Sequence, residues 1–164
     1  NEWTLGQTQK VFRGLWHLEG EEVAIQGDGS VFPNQVVTNG TVTLPDAVSK
    51  VTIGLPFEAA MQTLPPTVQE VPIEARRKRV VGIGVRLNES RGLEAGLTLD
   101  NTYPMRERTI EAYATPTLMM NGIKYTILES EWDENAQTYF VQRNPLPATI
   151  LGLVPDIEVG DDTD

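Results

Sequence analysis

Closely spaced turn signals between short runs of alternating apolar and polar residues constrain this chain more than any other feature of its sequence. Asp28-Gly29 and Asn39-Gly40 separate such runs, and Leu44-Pro45-Asp46 adds a further interruption. Both central residues of a type I′ turn need a positive φ, so Asp-Gly and Asn-Gly are strong hairpin signals. The pattern predicts four strands, at residues 23–26, 35–38, 41–44 and 51–54. We therefore expect a small antiparallel β module over residues 1–57.

The rest of the chain continues in the same style after a proline-rich segment. Residues 58–75 contain three prolines, which cannot donate to a strand ladder, so we expect a connection or an edge segment there. Residues 76–155 predict a second β unit, with a strand at residues 80–87 and a hairpin turn at Asn121-Gly122. Residues 156–164 read as a frayed acidic tail. The fold class expected is all-β, with antiparallel strands in one or two small barrel- or sandwich-like units and little helix.

Composition removes several function classes. The 164 residues include no Cys, so disulfides and thiolate chemistry are absent. His17 is the one histidine and has no companion for a metal site, and no serine lies in a Gly-x-Ser-x-Gly elbow. The net charge of −10 disfavours an extended duplex-binding surface. No apolar run is long enough to span a bilayer. We expect no enzyme activity, no cofactor, no metal and no membrane anchor.

One concentrated basic run and an acidic end are the candidate contact surfaces. Four explanations for the basic run remain open: a solvated strand entry, a subunit contact, a DNA contact or a localisation signal. Opposite charge makes the acidic end a candidate counterpart in a neighbouring subunit. The candidate subunit-contact residues are Arg76, Arg77, Lys78, Arg79, Asp156, Glu158, Asp161 and Asp162.

Short sequence blocks, which occur in the same order along most of the chain, resemble a known family. They are residues 18–20 (LEG), 28–29 (DG), 37–44 (VTNGTVTL), 51–57 (VTIGLPF), 76–80 (RRKRV), 90–93 (SRGL), 144–147 (NPLP) and 149–155 (TILGLVP). Together they look like the C-terminal part of the tail tubular (nozzle) proteins of short-tailed phages. Those proteins are often labelled as containing a small β domain like that of ubiquitin-activating enzymes.

The resemblance implies a structural role in the virion. A homo-oligomeric ring of six copies would form the distal part of the tail tube, contact other tail proteins and let DNA pass without specific binding. Strand edges would be closed by neighbouring subunits.

An alternative function belongs to another class: a carbohydrate- or receptor-binding β module of a tail fibre or baseplate. Such sites pair aromatic platforms with carboxylates or amides. The candidate platform residues are Trp3, Trp16 and Trp132, and Tyr103 and Tyr139 are further candidates. All of these side chains could equally belong to the core. A glycan-cleaving enzyme is a third and weaker hypothesis, because chance carboxylate pairs are expected among 23 acidic residues.

Overall fold

The computed structural model describes residues 2–67, 76–107 and 117–160. Among these residues nearly all regular structure is β-strand, and every strand pair is antiparallel, which confirms the all-β prediction. The chain divides into two compact units. The first runs to Glu58 and includes Arg143–Leu146, a stretch that the sequence pattern assigns to the second β unit.

The first unit is a four-stranded sheet in the order β1-β4-β2-β3. Its elements are β1 Glu2–Arg13, a 3-10 helix at Trp16–Leu18, β2 Glu22–Gly27, β3 Ser30–Val36 and β4 Thr41–Gly54. One face of the sheet supplies a core of aliphatic side chains and Phe12, in which Val23, Ile25 and Val51 are fully buried. Burial alternates along both ends of β4, whereas β2 buries Val23, Ala24 and Ile25 in succession.

Two tight turns in this unit have the conformation that the sequence predicts. Asp28 and Gly29 have φ values of 45° and 80°, and Asn39 and Gly40 have φ values of 52° and 60°. The first turn joins β2 to β3. The second lies between the bridged residues Thr38 and Thr41. Positive φ at both central positions explains why these dipeptides occur here.

The predicted break at Leu44-Pro45-Asp46 is wrong, because β4 runs without interruption through it. The two strands predicted at 41–44 and 51–54 are the two ends of β4. Pro45 lies where the register with β1 shifts, between the pairs Val11↔Thr43 and Gln9↔Val48. A proline removes no ladder bond at such a bulge. The Lys10 ammonium donates to the Pro45 carbonyl at 2.5 Å across the irregularity.

The second unit contains two sheets. Its strands are β5 Ala59–Gln62, β6 Lys78–Ser90, β7 Leu93–Thr98, β8 Asn101–Pro104, β9 Met120–Ile127, β10 Tyr139–Gln142 and β11 Ile150–Val159. The sheet orders are β5-β10-β7-β8 and β11-β6-β9. Side chains from both sheets, including Val85, Leu93 and Phe140, share one hydrophobic core. The strand predicted at residues 80–87 is the centre of β6.

The proline-rich segment, expected as a connection or an edge segment, contains the edge strand β5, which pairs with β10; residues 68–75 lie outside the described part of the chain. Two expectations for the second unit need correction. Asn121-Gly122 is not a hairpin turn: Gly122 pairs with Leu87 inside β9, and the Asn121 side chain accepts from the Glu89 amide at 3.0 Å. The predicted acidic tail begins inside β11, because residues 156–159 pair with β6; residues 161–164 lie outside the described part of the chain.

Candidate functional site

The basic run is divided between the interior and the surface of the second unit. The Lys78 side chain is only 1% exposed, and its ammonium donates to the Arg76 carbonyl at 3.4 Å. The backbones of Lys78 and Asp133 exchange hydrogen bonds of 2.8 and 2.9 Å. This burial corrects the sequence-based assignment of Lys78 to a contact surface. Arg77 is exposed, and its guanidinium donates to the Trp132 carbonyl at 3.4 Å.

Asp133, whose backbone pairs with Lys78, also stabilises its own loop through its side chain. Its carboxylate accepts from the amides of Asn135 and Ala136 at 3.1 and 3.0 Å. The Ala136 amide is the main cause of a lowered pKa for Asp133, with smaller contributions from other loop amides and from the Lys78 charge. This carboxylate therefore has a structural task.

Arg79 and Glu158 form an ion pair inside one chain. The guanidinium lies 2.6 Å from the carboxylate across paired residues of β6 and β11, and it stacks over the Trp132 ring at 5.1 Å. The sequence predicted contacts between subunits for Arg79 and Glu158, and the structure pairs them within the second unit instead. The assignment of the half-buried Arg76 and the exposed Arg77 to a contact with another subunit stays a prediction.

Asp156 contacts the aromatic side chain on the far strand of the same sheet. The Tyr125 hydroxyl donates to the Asp156 carboxylate at 3.1 Å. Partial desolvation, followed by this hydrogen bond and the carboxylate charge, raises the pKa of Tyr125. Of the remaining acidic candidates, Asp161 and Asp162 lie outside the described residues.

The three candidate tryptophans do not form one platform in the described part of the chain. The Trp3 side chain lies outside the described residues, while Trp16 and Trp132 belong to different units. Trp16 is 69% exposed and rests one ring face on Gly40. The Glu19 carboxylate beside it accepts from the amides of Asn39 and Gly40 at 2.8 and 2.6 Å. Tyr103 is exposed and Tyr139 is half-buried.

A polar groove of about 290 Å³ in the first unit is lined by Gln26, Asp28, Gly29, Lys50 and Thr52. The acidic residue of this groove, Asp28, is fully engaged in hydrogen bonds within the unit. The Asp28 carboxylate accepts from the Ser49 amide, the Ser49 hydroxyl and the Lys50 amide, each at 2.8 Å. These bonds, led by the Ser49 amide, lower the pKa of Asp28. An acid held in this way fixes the β2–β3 turn against β4 and is unsuited to proton transfer near neutral pH.

Residues outside the candidate sets predicted from the sequence form an exposed apolar surface on the sheet β11-β6-β9. Ile123, Tyr125 and Ile127 of β9 are 59%, 57% and 78% exposed. The alternation that carries them was visible in the sequence. Which face of the strand would be buried was not, because that depends on the pairing with β6.

The described residues contain no group of three or more His, Asp or Glu placed to hold a metal ion. Within the same part of the chain, no helix is long and apolar enough to cross a membrane. No protein-family model matches the chain, and no curated protein matches it either. The resemblance to tail proteins therefore depends on the sequence blocks given above.

Proposed function

We propose that this chain is a structural component of a phage tail, a subunit of the tube or nozzle ring through which DNA is delivered. The resemblance of its sequence blocks to the nozzle proteins of short-tailed phages suggests this role. The virion would be its location, and a ring of six copies its assembly.

The observation that best supports the proposal is that the polar side chains stabilise the fold itself. Asp28, Asp133 and Glu19 accept backbone hydrogen bonds at turns and loops, and Arg79 joins two strands. These are the roles expected of residues that hold a shape. An exposed apolar surface on an otherwise small β unit further favours a protein that works in an assembly.

The charge of the chain fits a wall past which DNA must slide. With 23 acidic and 13 basic residues, the subunit repels phosphate at long range, and several of its basic groups already contact carbonyls or carboxylates. A conduit of this composition would not retain duplex DNA.

Negative-stain electron microscopy of the purified protein, over a range of concentration and ionic strength, tests the proposal. Six-fold rings or short tubes with a central hole would support it. Particles without a hole at every condition would contradict it. Replacing Arg76 and Arg77 by Ser should reduce assembly and its sensitivity to salt, while Lys50→Ser on the first unit serves as the matched control.

A binding module for surface carbohydrate remains the second candidate, and the exposed Trp16 indole is what favours it. The free ring face and the neighbouring Glu19 carboxylate resemble one half of a sugar platform. Titration of bacterial glycans, followed by tryptophan fluorescence in the wild type and in Trp16→Ala, separates the two functions. A saturable change that Trp16→Ala abolishes would favour the binding module, and no response would favour the conduit.

A further inference from the structure

Strand β9 places its apolar side chains on the outside of its sheet and its polar side chains toward the core, the opposite of what is expected for a sheet that contacts nothing else. Its apolar residues Ile123, Tyr125 and Ile127 pair with Arg86, Gly84 and Gly82, which are the residues of β6 that point away from the core. Lys124 and Thr126 instead pair with the fully buried Val85 and Ile83 and are themselves half-buried. The apolar row of β9 therefore lies on the side that the core does not cover.

We call this surface the outer face of the sheet. It consists of Gly82, Gly84 and Arg86 of β6, Ile123, Tyr125 and Ile127 of β9, and Val154 and Asp156 of β11. Val154 is exposed in the same way as the β9 residues. Several large apolar side chains left in water on one face forgo the free energy that their burial would supply. Such a surface is typical of an interface.

The glycines of β6 make the outer face flat. A Cβ at Gly82 would overlap the Tyr125 hydroxyl oxygen, so the tyrosine lies directly across this residue to reach Asp156. At Gly84 a Cβ would contact Ile123 and Val154 from the two sides, at 3.4 and 3.6 Å. The side chains of the flanking strands thus lie over the central strand. A flat apolar face of this kind suits packing against another sheet, about 10 Å away.

The free edge of β9 is less suited than the outer face to binding a partner. Lys124 points to the core side of an edge strand, and inward-pointing charges are a known device against strand-to-strand addition. Docking through the face is therefore favoured over extension of the sheet.

The charges of the outer face identify the partner. Arg86 and Asp156 lie on opposite sides of Gly84, since Arg86 is two residues along β6 in one direction and Asp156 pairs with Gly82 two residues in the other. The Arg86 side chain is exposed and makes no hydrogen bond or ion pair with the described residues, while Asp156 uses one carboxylate oxygen for Tyr125. The cation and the anion are on neighbouring strands but lie equally far from Gly84 along the strand direction, so a rotation that reverses this direction brings them together, and the surface is complementary to itself.

We propose that the outer face is a two-fold interface with a second copy of this chain. A two-fold axis that lies between the sheets, perpendicular to the strands and close to Gly84, brings Arg86 of each copy over Gly82 of the other. Arg86 then reaches the free oxygen of the opposite Asp156, and this contact occurs twice. Tyr125 packs on its symmetry mate, and Ile123 meets Ile127. A ring with a single six-fold axis contains no two-fold contacts, so this interface is separate from the contacts that would close such a ring, and it rests only on the side chains named here.

Charge-reversal variants of Arg86 and Asp156 test the proposal, with self-association measured by sedimentation velocity. Arg86→Asp alone and Asp156→Arg alone each place like charges together in both contacts, and we expect self-association about 100-fold weaker than in the wild type. In an equimolar mixture of the two variants, the introduced aspartate of one variant faces the introduced arginine of the other. The second contact of that heterodimer is the native one, between Arg86 and Asp156. The mixture should therefore recover the wild-type affinity.

Matched controls are available on the other unit. Arg13→Asp changes an exposed cation of β1 and should leave the association unchanged. Ile127→Lys should weaken self-association in the same way as the charge variants, whereas Val36→Lys, at an exposed position of β3, should not. Circular dichroism of each variant confirms that the strands are intact.

Two results would overturn the proposal. One is a wild-type chain that stays monomeric up to about 1 mM, a concentration at which even a weak specific interface should form. The other is a mixture of the two charge variants that associates no better than either variant alone, because Arg86 and Asp156 would then not meet across copies.

Discussion

The Arg79 guanidinium lies 2.6 Å from the Glu158 carboxylate, on paired residues of two neighbouring strands of the same chain. Both side chains are well exposed, at 37% and 48%. Solvent screening and the entropy of holding two long side chains leave such pairs with a small net contribution. We predict that Arg79→Gln or Glu158→Gln changes the free energy of unfolding by at most about 1 kcal/mol. Urea denaturation measures this, and a loss of more than twice that value in Arg79→Gln but not in Glu158→Gln would show that the stacking on Trp132 contributes more than the charge.

Lys78 should behave differently from its neighbours in the basic run. Its aliphatic stem is buried in the second unit and its charge lies close to Asp133. We expect Lys78→Ala to reduce the free energy of unfolding by on the order of 3 kcal/mol, since packing and a buried polar contact are lost together. The exposed Arg77→Ala is the matched control and should change it by less than about 0.5 kcal/mol. Equal effects of the two substitutions in urea denaturation would contradict the buried position of Lys78.

Asp28 should make stability depend on pH in the acidic range. Hydrogen bonds from Ser49 and Lys50 lower its pKa in the folded state below the value of 3.8 that it has in an unfolded chain. Its contribution is therefore fully present above pH 3.8 and is lost as the pH falls through the folded pKa. Asp28→Asn should be less stable than the wild type at pH 7, and the difference should shrink below pH 3.8. Thermal denaturation between pH 2 and pH 7 measures this.

The exposed Asp46→Asn on β4 serves as the control for this experiment, because the Asp46 carboxylate makes no hydrogen bond with the described residues. A difference between Asp28→Asn and wild type that stays constant over the whole range would show that the carboxylate charge is not what stabilises the turn.

Gly40 and Trp16 should be energetically coupled. A Cβ at position 40 would lie 2.5 Å from the indole ring, and the φ of +60° is unfavourable for residues with a side chain. We predict that Gly40→Ala costs about 2 kcal/mol in the wild type and about 1 kcal/mol in a Trp16→Ala background, where only the backbone term remains. Gly54→Ala, with open space around its Cβ, is the control. Additive effects in this double-mutant cycle, read from urea denaturation, would mean that the ring moves aside freely.

Local chemistry accounts for what the sequence predicted well. The turns at Asp28-Gly29 and Asn39-Gly40 are determined by dipeptides that tolerate positive φ, and the strand at residues 80–87 by its high content of β-branched residues. The continuity of β4 was missed because Pro45 resembles a break. It is tolerated only through a bulge against β1, which lies more than thirty residues away in the sequence.

Long-range pairing also decides which residues form the surfaces. The sequence indicated that the basic run and the acidic end attract each other, but only the alignment of β11 on β6 shows that Arg79 meets Glu158 within one chain. The same alignment, together with that of β9, turns Ile123, Tyr125 and Ile127 outward. Alternation alone gives two possible faces, and a shift of one residue in the register would have exchanged them.

A protein whose polar residues maintain its shape and whose sheet exposes an apolar face should function by associating with itself. Native mass spectrometry of the purified chain across a concentration series measures this most directly, since each copy contributes 18.1 kDa. We predict dimers joined through the outer face, and larger homo-oligomers that grow with concentration up to a six-copy species. A single 18.1 kDa species at every concentration would contradict the assembly role.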